Sequence, residues 1–356
     1  MSFSYGERFR VTLFGQSHAP VVGVVIDGLP AGIELDMDAI RDFLSRRAPG
    51  GALTTARREA DVPEILSGLV DGHTCGAPIA AVIRNTDAHS EDYAGYLDTP
   101  RPSHADYAAF LKHGEAHDIR GGGYFSARLT AALCFAGAVA IQVLSRRGVA
   151  VGAHLYSVAD VKDEPFDPVN VTEADFKRVR ANALPVCNND IAPAMRRVIE
   201  EARAAKDSVG GVIEGAATGL PGGLGEPPFD GVENVLCRVL FAIPALRGVE
   251  FGAGFAASAM RGSRHNDPFL YDNGVVKTRT NNHGGALGGL TSGMPLLFRA
   301  AFKPTPSIGL TQDTVDLNAK ANTQLTIHGR HDPCVALRAV PCVEAAAAIA
   351  LLDMML

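Results

Sequence analysis

Apolar and polar positions along this chain follow strand patterns and helix patterns in turn. Val21 to Asp27 is a β-branched run, and a glycine-containing turn separates it from a helical pattern that extends from Asp36 to Arg47. An aspartate at the start of this pattern and an arginine at its end suit the charge distribution of a helix. The segment therefore predicts a strand, a turn and a helix.

A second segment repeats this order. A strand-like run begins at Gly211, a turn follows at Gly219, and a helical pattern extends from Asp230 to Leu240. Two quasi-equivalent halves would explain the repetition, although a match this short can also arise by chance.

The rest of the chain mixes the two kinds of element. Helices are predicted at 107–112, 126–146, 173–181, 192–206 and 340–356, and strands at 9–14, 79–84, 148–156 and 325–328. No proline-rich or charged linker divides the chain. We therefore expect one α/β (α+β) domain over residues 1–356, with long glycine-rich loops of the kind that usually carry function.

Length and composition indicate an enzyme-sized globular protein. The chain has 356 residues, of which 47% are hydrophobic, so it can bury a large core. Its net charge of -6 argues against a general nucleic-acid surface. The apolar runs 131–144 and 343–356 are shorter than the roughly 20 residues a bilayer requires, and we find no secretion signal. We expect a cytoplasmic protein without a nucleic-acid or membrane partner.

The cysteines and histidines do not form a metal-binding pattern. The six cysteines lie at wide, uneven spacings without a C-x-x-C pair, which is typical of reduced thiols. His113 and His117, like His328 and His331, lack a convergent third ligand. We therefore expect no metal site.

Basic and glycine residues concentrate between positions 101 and 128. Arg101 and His104 are followed by Arg120, the glycines 121–123 and Arg128. Arginine presents a fork of donors to an anion, bare glycine backbone can close on an oxyanion, and histidine can move a proton. The segment predicts an anion held beside a proton donor, and a surface loop with solvated charges is the alternative.

Two further clusters are candidate anion sites. One is a group of arginines around a glycine turn, formed by Arg46, Arg47, Arg57 and Arg58, for which a solvated helix end is the alternative. The other joins the glycine-rich run 281–289 to the segment 303–307, which offers an ammonium group and hydroxyls to a phosphate.

Short motifs follow one another from Phe9 to the C-terminal helix. They include Gly15-x-Ser17-His18, Arg46-Arg47-x-Pro49-Gly50, Arg101-Pro102-x-His104-Ala105-Asp106-Tyr107, Arg120-Gly121-Gly122-Gly123, Ser126-Ala127-Arg128, Lys303-Pro304-Thr305 and Gly329-Arg330-His331-Asp332-Pro333-Cys334. In this order they resemble the chorismate synthase family. The resemblance implies a homotetramer of β-α-β sandwich subunits that binds reduced FMN, with NADPH as a candidate reductant.

The resemblance also implies a reaction. The small anionic substrate 5-enolpyruvylshikimate 3-phosphate loses phosphate and a proton in a 1,4-trans elimination that gives chorismate, with no net redox change. By family position, His18 would protonate the leaving phosphate with Ser17 beside it as a donor. His104 would place a proton on the reduced flavin, and Asp332 would assist removal of the proton from flavin N5.

The substrate carries two carboxylates and a phosphate, so a dehydrated pocket must supply fixed cations. The expected substrate-binding residues are Arg47, Arg101, Arg128 and Arg330. The residues expected to bind the flavin are Ser126, Ala245, Gly285, Lys303, Thr305, Ser307 and Arg330, and among these Lys303, Thr305 and Ser307 would hold its phosphate.

Several positions depart from the family pattern. Ser103 replaces a glycine, Tyr124-Phe125 replaces Arg-Ser, Leu129 replaces a glutamate, Gln16 replaces a glutamate and Ala19 replaces a glycine. These changes leave two alternatives beside the leading hypothesis. One is a paralogue that binds flavin or an anion without elimination, and the other is a flavin oxidoreductase, which the lack of a convincing dinucleotide turn disfavours.

Overall fold

The computed structural model describes residues 3–55, 59–87, 95–327 and 331–356. Over these residues the strands are β1 (Ser4–Tyr5), β2 (Arg10–Gly15), β3 (Val21–Asp27), β4 (Pro63–Ser67), β5 (Leu69–Val70), β6 (His73–Thr74), β7 (Ile79–Arg84), β8 (Ala150–Val158), β9 (Val161–Lys162), β10 (Gly211–Thr218), β11 (Leu246–Phe251), β12 (Phe269–Asp272), β13 (Val275–Thr278), β14 (Ala286–Leu287), β15 (Leu290–Thr291), β16 (Leu296–Phe302), β17 (Thr311–Asp316) and β18 (Ala321–Thr326). The α-helices are α1 (Met37–Arg47), α2 (Asp106–His113), α3 (Thr130–Ser145), α4 (Glu173–Ala181), α5 (Ala192–Ala204), α6 (Val232–Leu240), α7 (Gly262–His265) and α8 (Ala336–Met355).

Two five-stranded sheets form the framework. The first has the order β1-β2-β3-β7-β4 and the second the order β11-β16-β10-β8-β9. Neighbouring strands pair antiparallel throughout both sheets. The remaining strands form two-stranded hairpins, so the sheets are joined by helices and loops and not by shared strands.

The two sheets have the same internal topology. In the first, β2, β3, β7 and β4 are neighbours in that order, and in the second β8, β10, β16 and β11 follow the same order. Helix α1 follows β3 and α6 follows β10, while α3 and α8 end the two series. The repeated strand, turn and helix of the sequence therefore lie at equivalent places, which supports two quasi-equivalent halves.

A layer of helices lies between the sheets. α3 packs on β3 and β7 of the first sheet, α8 packs on β8 and β10 of the second, and α3 and α8 pack against each other. One apolar core runs through both halves. The predicted β-α-β sandwich of mixed α and β structure is confirmed, and the expectation of a single domain stays a prediction.

Helices α3 and α8 run parallel and approach very closely. Cys134 contacts Cys342, and Arg147 near the end of α3 donates to the carbonyl of Met355 near the end of α8. Between these contacts, a Cβ atom on Gly137 would lie 2.3 Å from the Cα of Ala345. Only glycine permits this contact, because any side chain would enter the backbone of the other helix.

The stretch Ala127–Ser145, which contains α3, is long and apolar enough to cross a bilayer by length and composition alone. Inside the fold, however, 83% of that apolar window is buried. A helix that is apolar on all sides is also the expected form of a core helix between two sheets, and this is where α3 lies.

Most predicted elements are confirmed, but several boundaries are wrong, including the start of α3, which lies at Thr130 and not at 126. α1 begins after Asp36, whose carboxylate caps the helix by accepting the amides of Asp38 and Ala39. α8 begins at Ala336, not at 340, because burial of its apolar length tolerates Pro341 inside the helix. The last predicted strand is shifted toward the N-terminus as β18, and His328 lies outside the described residues.

We predict that Gly137→Ala destabilises the protein by about 1–3 kcal/mol, because its methyl group must push α3 away from α8. The midpoint of urea unfolding measures the effect. Gly262→Ala is the control, since a Cβ at Gly262 meets nothing within 4 Å. Equal midpoints for the two variants would show that the helices do not touch at Gly137.

Candidate active site

A cleft of about 480 Å³ opens at one end of the helix layer, which is a usual size for a small-molecule site. The loops that precede α3 and α8 line it. Because these helices are parallel, both present their N-terminal, partly positive ends to the cleft. Most of the predicted site residues line it, namely Arg47, Arg101, His104, Ser126, Arg128, Ala245, Lys303, Thr305, Ser307 and Asp332.

Two of the predicted substrate arginines share one buried carboxylate. Arg47, the last residue of α1, and Arg128 each pair with Asp61. Burial by itself would raise the pKa of Asp61, but the two guanidinium groups outweigh it and hold the pKa below its ordinary value. Glu59 lies 3.4 Å from Arg128. The arrangement fixes both guanidinium groups at the cleft wall before any ligand arrives.

Arg101 and His104 form a second buried network around Asp106. Arg101 donates two hydrogen bonds to the Asp106 carboxylate, at 2.7 and 2.8 Å, and Nδ1 of His104 lies 2.6 Å from the same group. Burial lowers the pKa of His104 below its ordinary value, although the bond to Asp106 opposes the change. A neutral imidazole with its proton on Nδ1 follows, and its Nε2 is then an acceptor.

The triple glycine runs between the two candidate catalytic histidines. Gly121 has a φ of +61°, and a Cβ there would lie 2.3 Å from Ser17 Oγ and 2.8 Å from His18 Cε1. A Cβ on Gly122 would lie 3.1 Å from His104 Cε1. The glycines are needed at these positions because side chains would displace the groups beside them.

Ser17 and His18 do not themselves line the cleft. Gly121, which does line the cleft, lies against both of them, and Ser17 is only 3% exposed. The amide of Ser17 donates to the carbonyl of Gly123, at 3.0 Å. His18 is therefore next to the cleft wall, and its proposed role stays a prediction.

Asp332 connects three loops at the other side of the cleft. Its carboxylate accepts the amide of Thr55 at 2.8 Å and Nη1 of Arg338 at 2.7 Å. Its carbonyl accepts the hydroxyl of Thr305 at 2.7 Å. Arg338 was not among the predicted site residues, although a basic residue one helical turn after Cys334, where the Asp332 motif ends, is the signal that could have indicated it.

Lys303 bonds to the loop that carries His104. Its ammonium group donates to the carbonyl of Ser103, and burial together with nearby Arg247 lowers its pKa. Ser103 has a φ of +57°, a conformation that favours glycine. Ser103 thus adopts the backbone conformation of the glycine that it replaces, at some cost in strain. The hydrogen bond from Lys303 holds Ser103 in this conformation.

Two of the predicted residues, Gly285 and Arg46, do not line the cleft. Gly285 lies elsewhere, where its amide donates to the side chain of Asn281 and a Cβ would lie 2.4 Å from the carbonyl of Pro295. Arg46 faces away from the cleft and makes two hydrogen bonds to Glu344, at 2.7 and 3.0 Å. Arg57, Arg58 and Arg330 lie outside the described residues.

Two of the other departures from the family pattern place aromatic rings at the cleft. The rings of Tyr124 and Phe125 lie 4.1 Å apart and both line the cleft. Tyr124 also shares a 2.9 Å hydrogen bond with Nε2 of His113. Leu129 is buried beside Val22, so it contributes packing and not a charge.

One group of potential metal ligands lies within the described residues, away from the cleft. His154, Asp163 and Cys187 each offer an atom within 4.8 Å of the others. However, both ring nitrogens of His154 contact carboxylates, those of Asp163 and Glu214, at 3.0 Å. Although burial would lower its pKa, these bonds hold the pKa of His154 well above its ordinary value. Both ring nitrogens of His154 therefore already have carboxylate partners.

Comparisons with known proteins agree with this geometry. The family model for chorismate synthase matches residues 9–356. Chorismate synthase of Korarchaeum cryptofilum is 44% identical over 98% of this chain and 96% of the relative, and that of Methanothermobacter thermautotrophicus is 46% identical over 99% and 94%. A crystal structure of chorismate synthase superposes with a TM-score of 0.76 at 26% identity, covering 99% of this chain and 92% of the other. The chain belongs to the chorismate synthase family.

Proposed function

We propose that the cleft holds reduced FMN beside 5-enolpyruvylshikimate 3-phosphate, and that this chain eliminates phosphate from that substrate to give chorismate. The enzyme is thus a lyase, and we assign it to the carbon-oxygen lyases that act on phosphates. The observation that carries the proposal is the convergence of His104, Asp332 and three buried arginines on one cavity. Nothing favours the alternatives, a binding paralogue or an oxidoreductase.

The arginines suit a substrate with several negative charges. Arg47, Arg101 and Arg128 are each at most 4% exposed, and each is held by a carboxylate. Because they are fixed in advance, a charged substrate loses little free energy in ordering them. The N-terminal ends of α3 and α8 add a positive potential to the same end of the cleft.

The segment 303–307 suits the phosphate of FMN. Lys303 supplies an ammonium group, and Thr305 and Ser307 supply hydroxyls on the same wall of the cleft. Ala245 lies next to them with a φ of +70°, and its carbonyl accepts the amide of Lys303 at 3.0 Å. Reduced flavin, when bound, supplies the reversible electron donation that lets phosphate leave without net oxidation, and NADPH is the reductant we propose for it.

The two histidines and Asp332 would donate and accept the protons of the proposed reaction. We assign protonation of the departing phosphate to His18, with the buried hydroxyl of Ser17 as a donor beside it. His104 would exchange a proton with the flavin through Nε2, because Asp106 holds the other nitrogen. Asp332 would accept the proton that leaves the substrate by way of flavin N5, while Arg338 keeps its carboxylate in place.

We also propose a cytoplasmic homotetramer. The β12–β13 hairpin exposes large apolar side chains, with Phe269 69% and Tyr271 81% accessible, and Phe255 is 85% accessible. Apolar patches of this kind mark contact surfaces. Light scattering during gel filtration measures the mass of the assembly.

We predict that His18→Ala and His104→Ala each lower kcat by about 10²- to 10⁴-fold, the usual contribution of a positioned proton donor. The assay is chorismate formation under anaerobic conditions with chemically reduced FMN. His73→Ala is the control, because His73 is exposed and lies away from the cleft. Near-normal rates in both histidine variants would refute the assignment of roles, and tight ligand binding by the wild-type chain without turnover would favour the binding paralogue.

We predict that Gly121→Ala reduces turnover strongly while the fold is retained, because its methyl group would displace Ser17 and His18. Gly288→Ala is the control: Gly288 has the same φ, +61°, but a Cβ there meets nothing within 4 Å. Both variants place an alanine at the same positive φ, and only Gly121→Ala adds a collision with Ser17 and His18. Equal activities in the two variants would show that the site does not require glycine beside the histidines.

We predict that Lys303→Ala weakens FMN binding by about tenfold to a hundredfold, which corresponds to the loss of a hydrogen bond to a charged group. Fluorescence quenching of FMN on titration measures the dissociation constant. Lys162→Ala is the control, because Lys162 is exposed on β9. Unchanged affinity in Lys303→Ala would place the FMN phosphate elsewhere.

A further inference from the structure

Two thiols meet in the centre of the helix layer. Cys134 of α3 donates a hydrogen bond to the sulfur of Cys342 of α8, at 3.7 Å, and Cys342 donates to the carbonyl of Arg338 at 3.6 Å. Both side chains are buried, with relative exposures of 0% and 3%. The proposed elimination uses neither of them.

The two sulfurs face each other near a place where the helix backbones touch. Cys134 and Cys342 lie one turn before Gly137 and Ala345, where the two helices are in backbone contact. A disulfide needs a sulfur separation near 2 Å. The sulfurs are 3.7 Å apart, so they must approach each other for the bond to form.

The surroundings make the two thiols unequal. The bond from Cys134, followed by Arg47 among the charged neighbours, lowers the pKa of Cys342 to about 7 despite its burial. Burial raises the pKa of Cys134. A thiolate is the reactive form of cysteine, and Cys342, unlike Cys134, lines a cavity that an oxidant could enter. Cys342 is therefore the attacking sulfur and Cys134 is the resolving one.

A small cavity lies between Cys342 and the cleft. This cavity of about 30 Å³ is lined by Cys342 and by Arg47, Asp332 and Arg338, which also line the cleft. Movement of these shared side chains would admit a molecule as small as hydrogen peroxide to the sulfur. Reduced flavin reacts with dioxygen to form hydrogen peroxide. Only this source of peroxide rests on the proposed function, and the rest of the inference does not depend on it.

We propose that hydrogen peroxide closes Cys134 and Cys342 into a reversible disulfide that links the two central helices and inhibits the enzyme. The Cys342 thiolate attacks peroxide and becomes a sulfenic acid, with release of hydroxide. The Cys134 thiol then attacks that sulfur, the S–O bond breaks, and water leaves. Overall, two thiols and one peroxide give one disulfide and two waters, and a dithiol reductant reverses the change.

Formation of the disulfide would affect the active site through Arg338 and Arg47. Formation of the S–S bond draws the Cys342 sulfur toward α3 and away from the carbonyl of Arg338. Arg338 also donates to the carbonyl of Arg47 at 2.9 Å and to Asp332. A shift of Arg338 thus disturbs a substrate arginine and the candidate base together.

The first test needs neither flavin nor substrate. The full-length chain is treated with hydrogen peroxide, and peptides are mapped by mass spectrometry without reduction. We expect a peptide that links Cys134 with Cys342, its disappearance after dithiothreitol, and its absence from Cys134→Ser and Cys342→Ser. Exposed Cys75 is the internal control: oxidation of Cys75 without the link would overturn the proposal.

The second test measures activity on the same samples. We expect kcat/KM to fall by about tenfold, a usual scale for coupling between sites, in proportion to the linked fraction and to recover with dithiothreitol. Cys134→Ala, measured after the same treatment and reduction, should keep the activity of its untreated form. Full activity in a completely linked sample would overturn the inhibitory part. A chain that forms the link but shows no turnover before treatment would instead count against the proposed function.

Discussion

The contact between α3 and α8 is the constraint on which the rest of the structure depends. Gly137 and Ala345 bring two parallel helices to backbone contact, and each helix carries one sheet on its outer side. Because the helices are parallel and begin at the same end, their N-termini point together at one cleft. The packing of small residues in the core thus determines where an anion is favoured, many residues away from the contact itself.

The buried positive charges of the cleft are already compensated before a ligand binds. A buried guanidinium group without a partner is costly, and a set of them is more so. Asp61 and Asp106 compensate the arginines beside them and lock their positions. An anionic ligand then adds interactions to cations that are already desolvated and oriented, so selectivity for a multiply charged substrate follows from the same carboxylates that stabilise the fold.

The secondary-structure elements and the types of site residue could be predicted from the sequence more accurately than the ion-pair and hydrogen-bond partners of those residues. Local signals such as the aspartate at the start of α1 survive folding, so α1 could be predicted from its own residues, whereas the sandwich was implied by the resemblance to the family. The carboxylate of Asp61 could not, since it is distant in sequence from Arg128 and only the fold brings them together. Pro341 is a local signal that tertiary burial overrides. A motif also does not say which of its neighbours line a cavity, and only the fold shows that Gly121, which lies against His18, is part of the cleft wall.

The quasi-equivalent halves explain why the site is asymmetric although the framework is repeated. Each half supplies a sheet and a central helix, and the loops that differ between the halves supply the chemistry. The first half contributes His104 and Arg128 before α3, whereas the second contributes Lys303 after β16 and Asp332 before α8. The bond from Lys303 to Ser103 joins the two sets. Since neither set is complete alone, the cleft requires both halves, and the α3–α8 contact that aligns them is also the place where a covalent link between Cys134 and Cys342 would act on the whole site.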